Sequence, residues 1–323
     1  MSAAPRPSDA TPPSSYHEPV LLAPVRDFLL AAGPGVYVDA TLGGAGHATA
    51  LLEAAPDIVL IGIDRDPEAR ATARGRLAPF ADRVHIAAAT FADLGRVLED
   101  ASEFVAGRPV RGVLMDLGVS SHQLDDPQRG FTFRTDAPLD MRMDPTTGVT
   151  AAQWLTETDV VTLTRLLREN GEDRFAPAIA RALLEGRPTT SDELTSLVES
   201  AVPPAARRRG HVATRVFQTL RIVVNNEVDE LRDGLSAALD ALDVGGRLVV
   251  LSYHSGEDRA VKAFLREAQT GGCTCPYELG CVCGAVPRVS LPHSGAVLAD
   301  AREVAQNPRA RSARLRSAVK VAP

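Results

Sequence analysis

Three apolar runs in this chain each stop on an aspartate. Val36-Tyr37-Val38 ends at Asp39, Ile58 to Ile63 (IVLIGI) at Asp64, and Val110 to Met115 (VRGVLM) at Asp116. The longer two are the kind of run that reads as a strand buried on both faces, as in a parallel sheet covered by helices. Val84 to Ala88 and Leu248 to Leu251 (LVVL) are two more candidate strands, and His47 to Ala54 (HATALLEA) reads as a helix. Strands alternating with helices predict an α/β fold with a mostly parallel sheet. A carboxylate at the end of a buried strand is costly without a partner. In open α/β sheets, ligands sit outside the carboxyl ends of the strands. The aspartates therefore point to one functional edge.

The alternation does not run through the whole chain. His122 to Pro145 is a long segment dense in Asp and Arg, of the sort that is uncommon unless functional or disordered. Residues 150 to 202 look helical, with Trp154, Leu155, Val161, Leu163, Leu166 and Leu167 spaced like one face. Thr190 and Glu193 form a capping box, and Pro203-Pro204 stops that helix. One long helical pattern then runs from about Ala213 to Leu242, ended by Gly245-Gly246. Val286 to Leu291 and Leu315 to Val321 are candidates for the last strands. At 323 residues the chain is about two domains' worth. The expected division is a Pro/Ser-rich disordered tail at 1–16, the first part of an α/β domain at 17–125, an inserted loop and helical domain at 126–212, and the second part at 213–323.

Several function classes drop out. Hydrophobic residues at 45% are too many for a disordered chain, and no apolar stretch is long enough to span a membrane. The N-terminal segment lacks the apolar centre of a secretory signal, so a cytoplasmic location and reduced cysteines are expected. A net charge of −6 argues against a polycation that coats nucleic acid, though it leaves room for local basic surface.

The turn after the first strand carries Gly43, Gly44 and Gly46. Glycines there let backbone approach a ligand, and the next helix begins with free N–H groups. Asp64 stands where an acid takes the ribose hydroxyls of an adenosine cofactor. In Gly44-Ala45-Gly46-His47-Ala48-Thr49 the third glycine of the dinucleotide fingerprint is missing. Asp39 just ahead suits the methionine amino group of S-adenosylmethionine and suits a pyrophosphate poorly. S-adenosylmethionine is the expected cofactor, with NAD, or a turn that binds nothing, as alternatives.

Longer strings carry a resemblance. HEPVLL (His17 to Leu22), DATLGGAGH (Asp39 to His47), GIDRDP (Gly62 to Pro67) and DLGVSSHQLD (Asp116 to Asp125) are joined by RGFTFRTDAPLDMRMDP (Arg129 to Pro145). ATRVFQTLRIVVNNE (Ala213 to Glu227), YHSGEDRAVK (Tyr253 to Lys262) and NPRARSARLR (Asn307 to Arg316) follow. With these strings the chain resembles the ribosomal RNA small-subunit methyltransferase H family over nearly everything after Tyr16. The resemblance implies a class I S-adenosylmethionine-dependent methyltransferase domain, a Rossmann-like mostly parallel sheet, with an inserted all-helical domain. It implies N4-methylation of a cytidine in small-subunit ribosomal RNA. The implied partner is that RNA, within an assembled or nearly assembled subunit, with no membrane and with a homodimer as a possibility. The implied cofactor contacts are Gly44, Ala45, Gly46, His47, Asp64, Phe91, Asp116 and Gln123.

Methyl transfer to an amine is an in-line displacement, and holding that geometry supplies most of the catalysis. The cytosine amino nitrogen is a poor nucleophile because its lone pair is delocalised into the ring. An acceptor for one of its protons helps, and Asp116 is the expected catalytic residue. The Asp116-Leu117-Gly118-Val119 turn has no aromatic residue, so Phe131, Phe133, Trp154, Tyr253 and His254 are the candidates to stack on the base. Arg207 to Arg209, Arg215 and Arg309 to Arg316 either hold RNA backbone or are solvated surface charge. Asp258 and Arg259 are a structural ion pair or RNA contacts. No metal is expected in the active site. Cys273, Cys275, Cys281 and Cys283 form C-x-C-x5-C-x-C, open to structural zinc, reduced thiols or a reversible disulfide.

Overall fold

The computed structural model describes residues 19–132, 136–172, 174–207, 212–276 and 282–323. The tail at 1–16, Phe133, Arg208, Arg209 and Cys281, all singled out above, lie outside them.

Among the described residues, seven strands form one sheet. They are β1 (Val36–Asp39), β2 (Val59–Asp64), β3 (Val84–Ala88), β4 (Val110–Asp116), β5 (Arg247–Ser252), β6 (Val289–Ser290) and β7 (Arg314–Lys320). Their order is β3-β2-β1-β4-β5-β7-β6. The first five in that order pair in parallel, and β7 runs antiparallel to both β5 and β6. This mostly parallel sheet with β7 reversed is the class I methyltransferase fold. The candidate strand over Val286 to Leu291 shortens to Val289–Ser290, and the last one is β7.

Successive side chains alternate between two cores, as the period of a strand requires. Val113, Met115, Leu248 and Val250 enter one core, while Leu114, Val249 and Leu251 enter the other. Both cores are apolar, which is why these strands read as unbroken hydrophobic runs. A third core is helical. Leu155, Leu163, Leu167, Ile179, Leu183, Leu194 and Val198 fill it, and Val216, Phe217 and Leu220 close it. The Thr190–Glu193 capping box is present. The apolar face read through Trp154 to Leu167 belongs to two helices, Ala151–Glu157 and Val160–Glu169, with Asp159 capping the second. Val161 consequently faces solvent.

The long helix expected from about Ala213 to Leu242 is also two, Val212–Val224 and Glu227–Ala241. Asn226 adopts a left-handed backbone, φ 52°, which asparagine tolerates better than most residues. Buried Asn225 donates to the carbonyls of Met141 and Arg221 and accepts from the N–H of Met143. The break therefore docks the Asp-rich segment, a long-range contact that helical periodicity does not encode.

That segment is ordered by Arg129. Its buried guanidinium donates to Asp66 Oδ2 at 2.9 Å, Glu68 Oε2 at 3.2 Å and the Met143 carbonyl at 2.7 Å. Gly130 follows at φ +70°, and a Cβ there would lie 2.4 Å from the Pro138 carbonyl oxygen. Backbone, unlike the end of a long side chain, cannot move aside cheaply. Gly130→Ala should therefore cost about 2–4 kcal/mol, from strain at positive φ plus the backbone clash. Denaturant unfolding measures it, and a loss below about 0.5 kcal/mol would show that the segment repacks freely.

Candidate functional site

The cleft opens where the β1 and β4 ends diverge, at the point of the sheet where strand order reverses. It encloses about 1170 Å³. After β1 the chain turns through Gly43, whose N–H donates to Asp64 Oδ2 at 2.7 Å. The other oxygen of Asp64 accepts the Asp66 N–H at 2.8 Å. Gly43 and Ala45 both have positive φ, 49° and 59°. A Cβ on Gly46 would lie 2.4 Å from Pro19, so glycine is needed for that close approach. Gly44, Gly46, His47, Asp64, Phe91, Asp116 and Gln123 all line the cleft. Ala45 does not: its methyl group is fully buried in the core beneath the turn.

Three carboxylates surround this turn. Burial pushes Asp39 up to about 7, helped by the charges of Asp116 and Asp64 and opposed by the Thr41 N–H. Burial likewise pushes Asp116 up to about 7, against a hydrogen bond from the Tyr253 hydroxyl to its Oδ1 at 2.7 Å. Asp64 is raised as well, again by burial. The Asp116 N–H donates to Thr41 Oγ1 at 2.6 Å, which ties β4 to the glycine turn. His47 is 5% exposed, and burial lowers it to about 4, so its ring is neutral. Among the described residues neither of its ring nitrogens has a hydrogen-bond partner, and Nε2 lies 3.8 Å from Asp116 Oδ2.

These features test the cofactor directly. Among the described residues no arginine or lysine forms an ion pair with Asp39, Asp64 or Asp116. A cluster of carboxylates with no basic ion-pair partner, Asp39 buried and Asp64 and Asp116 half-buried, repels a pyrophosphate and welcomes a cationic ligand. An unpartnered buried imidazole beside them is a donor or acceptor waiting for a polar group. The residues fit S-adenosylmethionine.

Phe91 begins a short turn after β3 and stacks its edge against the helix Glu227–Ala241. Gly234 makes room for it, since a Cβ there would lie 2.3 Å from Phe91 Cδ2. Gln123 is committed locally: Oε1 accepts the Ser120 N–H and Nε2 donates to Asp66 Oδ2 at 2.8 Å. It borders the cleft and braces Asp66.

Of the described aromatic candidates, Tyr253 and Phe131 line the cleft, and Trp154 packs against the helical core instead. His254 also lines it, but its Nδ1 accepts the Gly256 and Glu257 N–H groups and so caps the helix Ser255–Thr270. Buried Glu257, which desolvation alone would raise, is held below the usual carboxylate range by His254, Arg221 and the Tyr253 N–H. Sequence reasoning missed this network, although His254 and Glu257 three residues apart carry a capping-box spacing.

Among the described residues, three arginines of the basic runs are paired within the protein. Arg215 Nε donates to Glu172 at 2.9 Å, Arg309 to Asp125 at 2.8 Å and Arg316 to Asp258 at 2.7 Å. Asp258 also has Arg314 at 3.6 Å.

The family model described as the MraW methylase family matches residues 14–321. A protein named Ribosomal RNA small subunit methyltransferase H from Geobacter sulfurreducens is 50% identical over 313 residues, covering 94% of this chain and 99% of that protein. A protein of the same name from Cutibacterium acnes is 46% identical over 326 residues, covering 98% and 95%. A third, from Salinispora arenicola, is 49% identical over 319 residues, covering 95% and 84%. With this turn, these strand-end acids and likeness along almost its full length, the chain belongs to the MraW methylase family.

Proposed function

We propose that this protein transfers a methyl group from S-adenosylmethionine to the exocyclic N4 of a cytidine in small-subunit ribosomal RNA. The observation that carries the reading is the Asp116 carboxylate, half-buried at the end of β4 with Oδ1 held by Tyr253 and Oδ2 facing the cleft 3.8 Å from His47. When bound, the cofactor supplies an activated methyl on a positively charged sulfur. Asp64 has used two acceptor positions on backbone N–H groups, and an ionised carboxylate has about four, so it still receives the ribose hydroxyls. Phe91 flanks the adenine. Gly44, Gly46 and His47 present backbone and ring nitrogen to the methionine end, while Ala45 holds the turn and Gln123 positions Asp66.

Asp116 Oδ2 accepts an amino proton of the cytosine. This favours a pyramidal nitrogen and removes the proton once the nitrogen is methylated. A carboxyl raised to about 7 is a stronger base than an ordinary aspartate and is matched to neutral pH. The helical unit, residues 126–212, closes over the flipped-out base. Phe131 and Leu166 line the same cleft as the glycine turn, which supports that role.

We infer further that the substrate is the RNA within an assembled or nearly assembled small subunit. Arg215, Arg309 and Arg316 are engaged with acids and the net charge is −6, which favours a substrate held by more than its backbone charge. A subunit presents the cytidine already oriented.

Mass spectrometry of ribosomal RNA nucleosides should find N4-methylcytidine in cells with the gene and lose it in cells without. In the purified system small subunits should be methylated at least about tenfold faster than naked RNA. Asp116→Ala should abolish methylation yet keep calorimetric affinity for S-adenosylmethionine better than Asp64→Ala does. Full activity of the Asp116 variant would falsify the acceptor role.

Gly234→Ala should raise the KM for S-adenosylmethionine roughly tenfold by driving the Phe91 ring toward the cleft. The helix itself gains about 1 kcal/mol from alanine, so thermal stability reports separately that the fold survives. An unchanged KM would remove Phe91 from the cofactor contacts.

The pH profile follows from Asp116. Only its ionised form accepts a proton, so kcat/KM, which reports the free enzyme, should climb as pH rises through about 7. Tyr253→Phe deletes a hydrogen bond that favours the ionised form, so the midpoint should move to higher pH. A midpoint that stays in place in this variant would disconnect Tyr253 from the titrating group.

A further inference from the structure

The cysteine segment plays no part in the chemistry above. Among the described residues, the sulfurs of Cys273, Cys275 and Cys283 all lie within 4.8 Å of one another. Cys273 and Cys275 are half-buried and Cys283 is exposed. The backbone brings them together from two directions. The helix Ser255–Thr270 ends on Gly271 with φ +62°, where a Cβ would lie 2.4 Å from the Val286 carbonyl oxygen. The strand leaving the segment is tied back to the same helix end, with Arg288 N–H donating to the Ala268 carbonyl at 2.8 Å. The outgoing and returning arms thus touch, and the thiols project from the chain between the two contacts.

We propose that Cys273, Cys275 and Cys283 bind a structural zinc ion. The spacing supports it. Tetrahedral zinc with Zn–S bonds of ~2.3 Å sets its sulfurs roughly 3.8 Å apart, inside the 4.8 Å within which the three sulfurs lie. Thiolates select zinc among the common divalent ions of a reducing compartment. Val282 is 89% and Val286 63% exposed, so neither side chain anchors the segment in an apolar core. A metal here does what an apolar core does elsewhere.

The position separates this site from catalysis. The helix Ser255–Thr270 begins at the cleft, where Gly256 and Glu257 line it, and ends at the cysteines. Sixteen helical residues span roughly 24 Å. Zinc at the far end clips the connection from that helix to β6, and through β6 it steadies the edge of the sheet beside β7.

The test uses the full-length protein purified without chelator. Plasma mass spectrometry should find about one zinc per chain. Peptide mapping after iodoacetamide should show Cys273, Cys275 and Cys283 protected, then modified after chelation, and protected again when zinc alone is restored. Cys283→Ser should lose the zinc. If that variant fails to fold, the chelation and restoration series on the unaltered protein still decides. Calorimetric affinity for S-adenosylmethionine should change by less than about twofold on metal removal, given the distance. Zinc below roughly a tenth of an equivalent overturns the proposal. Protection that survives chelation but yields to a thiol reductant also overturns it, since that marks a disulfide. A large loss of cofactor affinity on chelation overturns the structural assignment. Because metal content and thiol protection are read without any methylation assay, failure here is distinct from failure of the methyltransferase reading.

Discussion

The buried pair between Arg129 and Asp66 is the joint on which the two halves of the molecule depend. Asp66 caps the helix Pro67–Arg76 that follows β2, and its own N–H is bound by Asp64. Arg129 reaches that cap from the inserted segment and also holds the Met143 carbonyl, while Gln123 meets the same Asp66 oxygen. One guanidinium therefore fixes the acid after β2, the short helix Ser121–Asp125 and the chain around Met143 at once. Removing one member of a buried pair typically costs about 3–5 kcal/mol, because the charge left behind has no solvent. Here the loss falls on the wall of the cleft. The insertion is anchored beside the cofactor turn by charge, and its own apolar core needs no contact with the sheet to be held there.

The cleft itself works against folding. Asp39 and Asp116 have folded-state values near 7 against 3.8 for the free side chain. Their protonated forms are the ones the fold prefers. Stability from these groups is fully present below about 4 and is lost as pH rises toward 7, where both become charged without a countercharge. A cationic ligand reverses that sign. The same electrostatic cost that weakens the empty protein strengthens binding of a sulfonium compound.

Much of this was legible in the sequence because it is local. β1 to β5 are short apolar runs, and the aspartates that close β1, β2 and β4 stand at the residues read for them. The glycine turn announced itself by composition. What escaped was non-local. The pattern from Ala213 to Leu242 kept helical spacing through Asn225 and Asn226, and only docking of Met141 and Met143 onto Asn225 breaks it. The Arg-rich runs read equally as RNA contacts or as solvated charge, and a sequence does not show that Glu172, Asp125 and Asp258 lie opposite Arg215, Arg309 and Arg316. Tyr253 was one name among several aromatic candidates. Its hydrogen bond to Asp116 joins residues 137 positions apart.

That bond is the last link of a longer chain of contacts. Phe217 and Leu220 root the helix Val212–Val224 in the helical core, and Arg221 on the same helix turns toward the sheet. Arg221 donates to Glu227 at 2.7 Å and lies 3.7 Å from Glu257. Glu257 accepts the Tyr253 N–H at 2.9 Å, and the Tyr253 hydroxyl holds Asp116. Every group in this series is buried or half-buried, where an unpaired partner is expensive. A shift of the helix Val212–Val224 must therefore stretch a charged contact at the base of Tyr253 or carry Tyr253 with it. The helical unit and the Asp116 carboxylate are mechanically joined, so a displacement of the former is felt in the orientation of the latter.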